Sequence, residues 1–307
     1  MEFEKIERIN VSALDAILGK PFKVLDDGFI RVIDYMGDDS SIVQAARISY
    51  GKGTKQVSED EGLIRYLIRH QHSTPIEMCE LKLHVRVPMD CWRQWIRTRT
   101  ASVNEYSTRY SEAIDKCQIT PRDAWRLQSD NNKQGSSGLL DSEEYIEELC
   151  MAEESLHSHA QRVYKRRLEL GIAREQARKD LTLSTYTEAY WKIDLKNLLH
   201  FLALRMDSHA QLEIREYANI IGNEIVANWV PMTWRAFNDY HALRDALTLS
   251  ALEREIIQGI PNGTACGHAE TFGWLKRSKG GKLLKNRERT ECEEKLRTLN
   301  IEIPWAK

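Results

Sequence analysis

The sequence is short of what would place it in several large classes. Its six cysteines, at positions 79, 91, 117, 150, 266 and 292, form no CxxC unit, so neither a disulfide scaffold nor a paired zinc site is encoded and reduced thiols are expected. Seven prolines and sixteen glycines are too few for a collagen-like or disordered chain. No apolar run is long enough to cross a bilayer, and the opening stretch MEFEKIERINVSALDAILGK lacks the cationic-then-apolar layout of a signal peptide. The expectation is a cytoplasmic protein with no membrane partner. A charge bias is missing too: 44 Lys and Arg against 46 Asp and Glu leave a net charge of −2, so the chain as a whole does not attract nucleic acid.

What is present is the make-up of a globular protein, 42% hydrophobic and 29% charged over 307 residues, enough for one large domain or two small ones. FIRVIDYM (29–36) has strand composition, and SSIVQAARIS after Asp38 and Asp39 reads as a helix. Ser58 and Glu61 predict a capping box for a helix ending near His72. In Glu80–Val87 apolar Leu81, Leu83, Val85 and Val87 alternate with polar residues, a strand with one face in the core. Asp90 is expected to cap a short helix through Ile96, and RTRTASVNEYSTRYSE, rich in Ser, Thr and Asn, to form an ordered loop. Residues 127–141 read as an exposed insertion. A long helix capped by Asp141 and Glu144 should run to Leu170-Gly171, and a second should start near Ala173. TLSTYTEAYWKI (182–193) predicts a strand, followed by one long helix from Asp194 to Pro231. The change of character near 245 divides the chain into 1–244 and a basic extension, 245–307, of unknown role.

Chemistry concentrates between Gln94 and Tyr110, where Arg97, Arg99 and Arg109 lie among Ser102, Asn104, Glu105 and Ser107. Guanidinium groups meet phosphate oxygens two at a time, and hydroxyls can complete the anion's shell, so the array suits a phosphate; surface ion pairing is the other reading of the same composition.

The order of these residues closely resembles the signature of the flavin-dependent thymidylate synthase family, RHRxxSxNExSxRY, present as RTRTASVNEYSTRY. DYMGDDSSIVQAARISY, LIRYLIRHQHSTPIEM, HVRVPMDCWRQWIRTRT and LLHFLALRMDSHAQLEIREYA resemble the same family in the same order, across roughly residues 26–240. The resemblance implies an α+β fold, an antiparallel sheet packed with long helices, and a homotetramer with shared active sites. It implies methylation of dUMP at carbon 5, with methylenetetrahydrofolate as one-carbon donor, FAD as hydride carrier and NADPH as reductant.

Carried onto this chain, the dUMP site comprises Gln94, Trp95, Ile96, Arg97, Glu105, Tyr106, Ser107, Thr108, Arg109, Arg178 and Arg205, the last as the catalytic group that polarises uracil. FAD contacts fall on His72, Thr74, Arg97, Thr98, Arg99, Glu105, Asp194, Leu195, Lys196 and His200, and no metal is implied. Helical periodicity places Arg205 on a face with Leu198, Phe201 and Leu212, where a cation needs an anion or acceptors; a pair with Asp194 or Glu213 is the structural alternative. Ser107 has no histidine in its loop to act as base and is assigned to binding. Thr98 stands where the signature has histidine, Asp194 and His200 where asparagine is frequent, and Lys196 in place of arginine. All four departures are on the flavin side. They motivate a competing reading, a non-catalytic nucleotide- or nucleic-acid-binding protein that kept the phosphate loop.

Three weaker signals remain. The cations between Lys276 and Arg289 suit an anion, or else balance Glu291, Glu293 and Glu294 on a solvated tail. Cys266 and His268 are two ligand types without a second pair. His157 and His159 are expected at the surface.

Overall fold

The computed structural model describes residues 7–48, 57–129, 135–241 and 246–306. The chain divides into two compact units, Met1–Arg244 and Asp245–Lys307.

The larger unit is built on a five-stranded antiparallel sheet of β1 (Phe22–Val24), β2 (Gly28–Met36), β3 (Glu80–Pro88), β7 (Tyr186–Asp194) and β4 (Ser102–Glu105), in that spatial order. A separate hairpin pairs β5 (Arg126–Gln128) with β6 (Ser136–Leu139). β3 lies at the centre because its alternation is the cleanest: Leu81, Leu83, Val85 and Val87 are fully buried, opposite Ile193, Trp191 and Ala189 of β7. The other face of the sheet is polar. There Arg31 Nε donates to His84 Nδ1 at 2.9 Å, leaving His84 Nε2 to meet Glu188 at 2.8 Å, and Arg86 joins Glu188 to Asp27.

The helices are α1 (Ser12–Asp15), α2 (Asp39–Ile48), α3 (Val57–Arg69), α4 (Met89–Trp95), α5 (Glu143–Glu169), α6 (Arg174–Ala177), α7 (Leu195–Arg205), α8 (Leu212–Ile220), α9 (Ala227–Trp229) and α10 (Pro231–Tyr240). Buried residues of α2, α7, α8 and α10 share one apolar core with the sheet. Asp39 ties α2 to α10, its carboxylate accepting from the Met232 and Thr233 N–H groups and from the Thr233 hydroxyl. Gly28 permits the approach of α8: a Cβ there would lie 2.0 Å from the Tyr217 hydroxyl and 2.6 Å from the Val24 carbonyl oxygen.

Several expectations are corrected. Ser58 lies inside α3 rather than ahead of it, and Asp90 lies inside α4, whose N-cap is Pro88. The Ser/Thr-rich loop contains β4, because edge pairing with β7 satisfies its backbone where helix propensity could not. The insertion forms the β5–β6 hairpin, with residues 130–134 outside the described set. Ser142 rather than Asp141 caps α5, accepting from the Tyr145 N–H, and Gly171 at φ 73 follows its end. The helix after Ala173 is a single turn, α6. The helix expected from Asp194 to Pro231 is broken: residues 206–211 separate α7 from α8, a π-helical turn occupies Ile221–Val226, and Pro231 opens α10 at a position where its missing N–H costs nothing. His157 is half-buried, bonded to the Ser184 hydroxyl at 2.8 Å.

The smaller unit encloses Ile256, Ala269, Trp274, Cys292, Leu296 and Trp305 within α11 (Ala251–Gly259), α12 (Ala265–Thr271), α13 (Arg287–Thr298) and the segments between and after them. Ser250 and Glu253 form a capping box on α11, and buried Glu253 accepts from Lys295 at 2.8 Å. Glu291 and Glu293 are balanced by arginines rather than lysines: Glu291 pairs with Arg287, and Glu293 with Arg289 and Arg297. Cys266 Sγ donates to the Pro304 carbonyl. All six cysteines are free; Cys79, Cys91 and Cys292 are buried, and burial pushes the Cys79 thiol up to about 12 and raises Cys91 and Cys292 as well.

Candidate active site

The site residues read from the sequence fall into four groups. The first lies where α4 meets the break between α7 and α8. Trp95 is fully buried, its ring 5.2 Å from Trp191, 5.0 Å from Phe201 and 5.8 Å from Tyr217, so it anchors the helix end, with Ile96 exposed and Gln94 half-buried beside it. Gln94 Nε2 donates to Gln211 Oε1, Gln211 Nε2 donates to Asp90 Oδ2 at 3.1 Å, and Arg205 Nη2 donates to the Gln94 carbonyl oxygen at 3.1 Å.

Arg205, the last residue of α7, pairs with neither carboxylate considered for it. Asp194 caps α7 by accepting from the Asn197 N–H, and Glu213 pairs with Arg126 at 2.5 Å. Arg205 Nε is buried without a partner among the described residues, and burial lowers the pKa of its guanidinium. A cation in that state is costly until acceptors or negative charge arrive beside it.

The second group is β4 and the turn after it. Glu105 Oε1 accepts from the Thr187 hydroxyl at 2.8 Å, which fixes its direction on the edge strand. The Tyr106 N–H donates to the Glu188 carbonyl at 2.8 Å, and the Tyr106 hydroxyl to the Glu112 carbonyl at 2.7 Å. Ser107 Oγ accepts from the Arg109 N–H at 3.3 Å, and no hydrogen bond joins it to a histidine among the described residues. Arg178 Nη1 donates to the Thr108 hydroxyl at 2.5 Å. Arg109 pairs with Glu175 at 3.1 Å with both side chains more than half exposed, a weak pair that a phosphate displaces readily.

His72 and Thr74 form the third group, on an open cavity of about 720 Å³ lined also by Leu63, Tyr66, Pro75 and Met78. The fourth is the start of α7. There the Asp194 carboxylate is spent on capping and Leu195 lies in the core with its N–H bonded to the Cys79 carbonyl, whereas Lys196 is half-exposed and His200 exposed. Arg97 and Arg99, both exposed, pair with no described carboxylate, and Thr98 is half-buried with its N–H on the Trp95 carbonyl. The hollow at His72 and Thr74 is apolar and aromatic, a lining that suits a flat ring system, and the exposed guanidinium groups of Arg97 and Arg99 suit a diphosphate.

Among the described residues no hydrogen bond or ion pair joins the first group to the second. Reading the sequence passed over the contacts of Asp90 and Gln211 with Gln94, the pairing of Arg126 with Glu213, and Tyr66 in the lining of the hollow. The signal for Gln211 was present as the polar run Asp207-Ser208-His209, which interrupts the apolar period of the supposed long helix. A second cavity, of about 600 Å³ and lined by Arg126, Gln128, His209, Gln211 and Arg215, opens at this break.

The geometry can now be set beside known proteins. The family model described as thymidylate synthase complementing protein matches residues 31–232. A flavin-dependent thymidylate synthase of Wolbachia pipientis is 53% identical over 262 residues, spanning 83% of this chain and 90% of the relative. One from Gluconobacter oxydans is 54% identical over 250 residues, 80% of each chain. The crystal structure of a UMP/dUMP methylase, PolB from Streptomyces cacaoi, bound with 5-Br UMP superposes with a TM-score of 0.63 at 30% identity, covering 71% of this chain and 96% of that one. By sequence and by fold alike, this chain belongs to the flavin-dependent thymidylate synthase family.

Proposed function

We infer that the protein converts dUMP to dTMP by reductive methylation, taking the one-carbon unit from methylenetetrahydrofolate and reducing equivalents from NADPH. The observation that carries this reading is Arg205, a partly buried guanidinium with an unpartnered Nε, held against the backbone of Gln94. Aimed at a pyrimidine, such a group stabilises negative charge on the N3 and O2 edge and so makes carbon 5 nucleophilic. No enzyme nucleophile at carbon 6 is then needed, consistent with the buried, protonated state of Cys79 and Cys91.

Ser107, Thr108, Arg109 and Arg178 supply donors for a phosphate carrying close to two charges. FAD, held by Arg97, Arg99, Glu105, Lys196, His200 and the hollow at His72 and Thr74, supplies hydride-transfer chemistry when bound. The absence of any described hydrogen bond or ion pair between the two nucleotide-side groups of one chain, one holding Arg205 and the other the exposed Arg109, supports a homotetramer whose sites are shared between subunits. No described helix is long and apolar enough to cross a membrane, and a cytoplasmic location is part of the reading.

The test is anaerobic turnover with dUMP, methylenetetrahydrofolate, FAD and NADPH, each omitted in turn. Thymidylate that depends on all four is expected. Bound FAD and dUMP without any thymidylate would instead support the non-catalytic reading that Thr98 motivates.

A further inference from the structure

The chain of amides at the α7–α8 break has a direction that its chemistry fixes. A carboxylate offers acceptors and no donor, whereas a glutamine amide offers a donor end and an acceptor end that can exchange places. Because Asp90 meets Gln211, the Gln211 amide must turn its N–H toward Asp90, at 3.1 Å, and its oxygen toward Gln94. Gln94 must then give Gln211 its N–H, which leaves Gln94 Oε1 without a hydrogen-bond partner among the described residues. The backbone oxygen of the same glutamine holds Arg205 Nη2 at 3.1 Å, so that free acceptor sits on the residue that also positions the guanidinium. A free side-chain acceptor and a fork of donors thus belong to two residues that the Gln94 backbone holds together.

We propose that Asp90 and Gln211 are positioning residues that lock the Gln94 amide with its oxygen presented beside Arg205, and that this pairing selects uracil over cytosine. The inference rests on the nucleotide reading above. Uracil presents N3–H between two carbonyl oxygens, matching an acceptor next to guanidinium donors. Cytosine presents a bare N3 and an amino group there, setting lone pair against Gln94 Oε1 and N–H against Arg205. Gln94 recognises N3–H in the bound substrate before that edge takes on charge. None of the three relay side chains needs to titrate for this to work.

Two near-isosteric variants test it in the full-length, FAD-loaded protein. In Asp90→Asn residue 90 can accept or donate, so it no longer fixes the direction of the chain; in Gln211→Met the chain is cut. The measurement is the ratio of dCMP to dUMP dissociation constants by calorimetry, with FAD content and melting temperature recorded alongside. Wild-type protein should prefer dUMP strongly, and both variants should lose about tenfold of that ratio while holding FAD, the cost of an unsatisfied polar contact at a desolvated edge. Asp90→Glu, which keeps an acceptor, should retain most of the preference. A purely structural role would weaken both nucleotides together and leave the ratio unchanged, and an unchanged ratio in either folded variant overturns the proposal. Removing the Asp90 charge would by itself tighten binding of an anionic nucleotide, so weaker dUMP binding in Asp90→Asn could not be a charge effect. If wild-type protein bound no dUMP at all, the nucleotide reading itself would fall, and the relay's ligand with it.

Discussion

At the scale of single residues, Arg205 carries the clearest expectation. Arg205→Ala removes a partly buried guanidinium that pairs with no described carboxylate, so thymidylate formation should fall by roughly two to three orders of magnitude, the usual loss for a group that stabilises developing charge. Circular dichroism and FAD content should stay as in the wild type; near-normal turnover would remove Arg205 from the mechanism. Arg205 was legible through the family resemblance, which a lone cation on an apolar helical face supported. Its contact with Gln94 was not, since 111 positions separate the two and nothing local encodes the meeting. Gln211 and Asp90 escaped for the same reason: an amide or carboxylate acquires a role there only once the fold closes the distance.

Among the elements, those with strong periodicity were readable and those defined by tertiary pairing were not. β2, β3 and α5 emerge close to their expected bounds because alternation or a 3.6-residue repeat runs through each. β4 was invisible: Ser102–Glu105 has no apolar face and owes its strand state to hydrogen bonds with β7. The break between α7 and α8 was hidden by the strong helical pattern on both sides of it. The packing of α8 on β2 makes a sharper prediction. Gly28→Ala forces a Cβ against the Tyr217 hydroxyl, itself bonded to the Arg86 carbonyl at 2.8 Å, and against the backbone oxygen of Val24. Denaturant unfolding should lose about 1–3 kcal/mol, the range for overpacking, with its slope on denaturant unchanged. A neutral substitution would mean that β2 and α8 separate more easily than their contacts suggest.

For the whole molecule, the division near Arg244 makes two predictions. A fragment ending there retains the sheet and the whole large core, so it should melt cooperatively and still bind FAD; loss of FAD from a folded fragment would assign the tail a part in the site. In the smaller unit, burial alone would raise the Glu253 carboxyl, but the Lys295 ammonium and the Ser250 N–H outweigh it and hold its pKa below the ordinary 4.5. A depressed carboxyl contributes stability above its unfolded pKa and loses it as pH falls through the folded one. The smaller unit should therefore hold its melting temperature above about pH 5 and lose it in stronger acid, and Glu253→Gln should flatten that acid limb in calorimetric scans.

The buried thiols have a consequence for the working life of the protein. Reaction with peroxides and electrophiles proceeds through the thiolate, and at neutral pH Cys79, Cys91 and Cys292 are held in the protonated form inside apolar surroundings. Chemistry that relies on a cationic side chain rather than a sulfur nucleophile has no sulfur to lose to oxidation. Alkylating the protein before an anaerobic assay should then leave turnover largely intact, a tolerance that a cysteine-dependent route to the same product could not share.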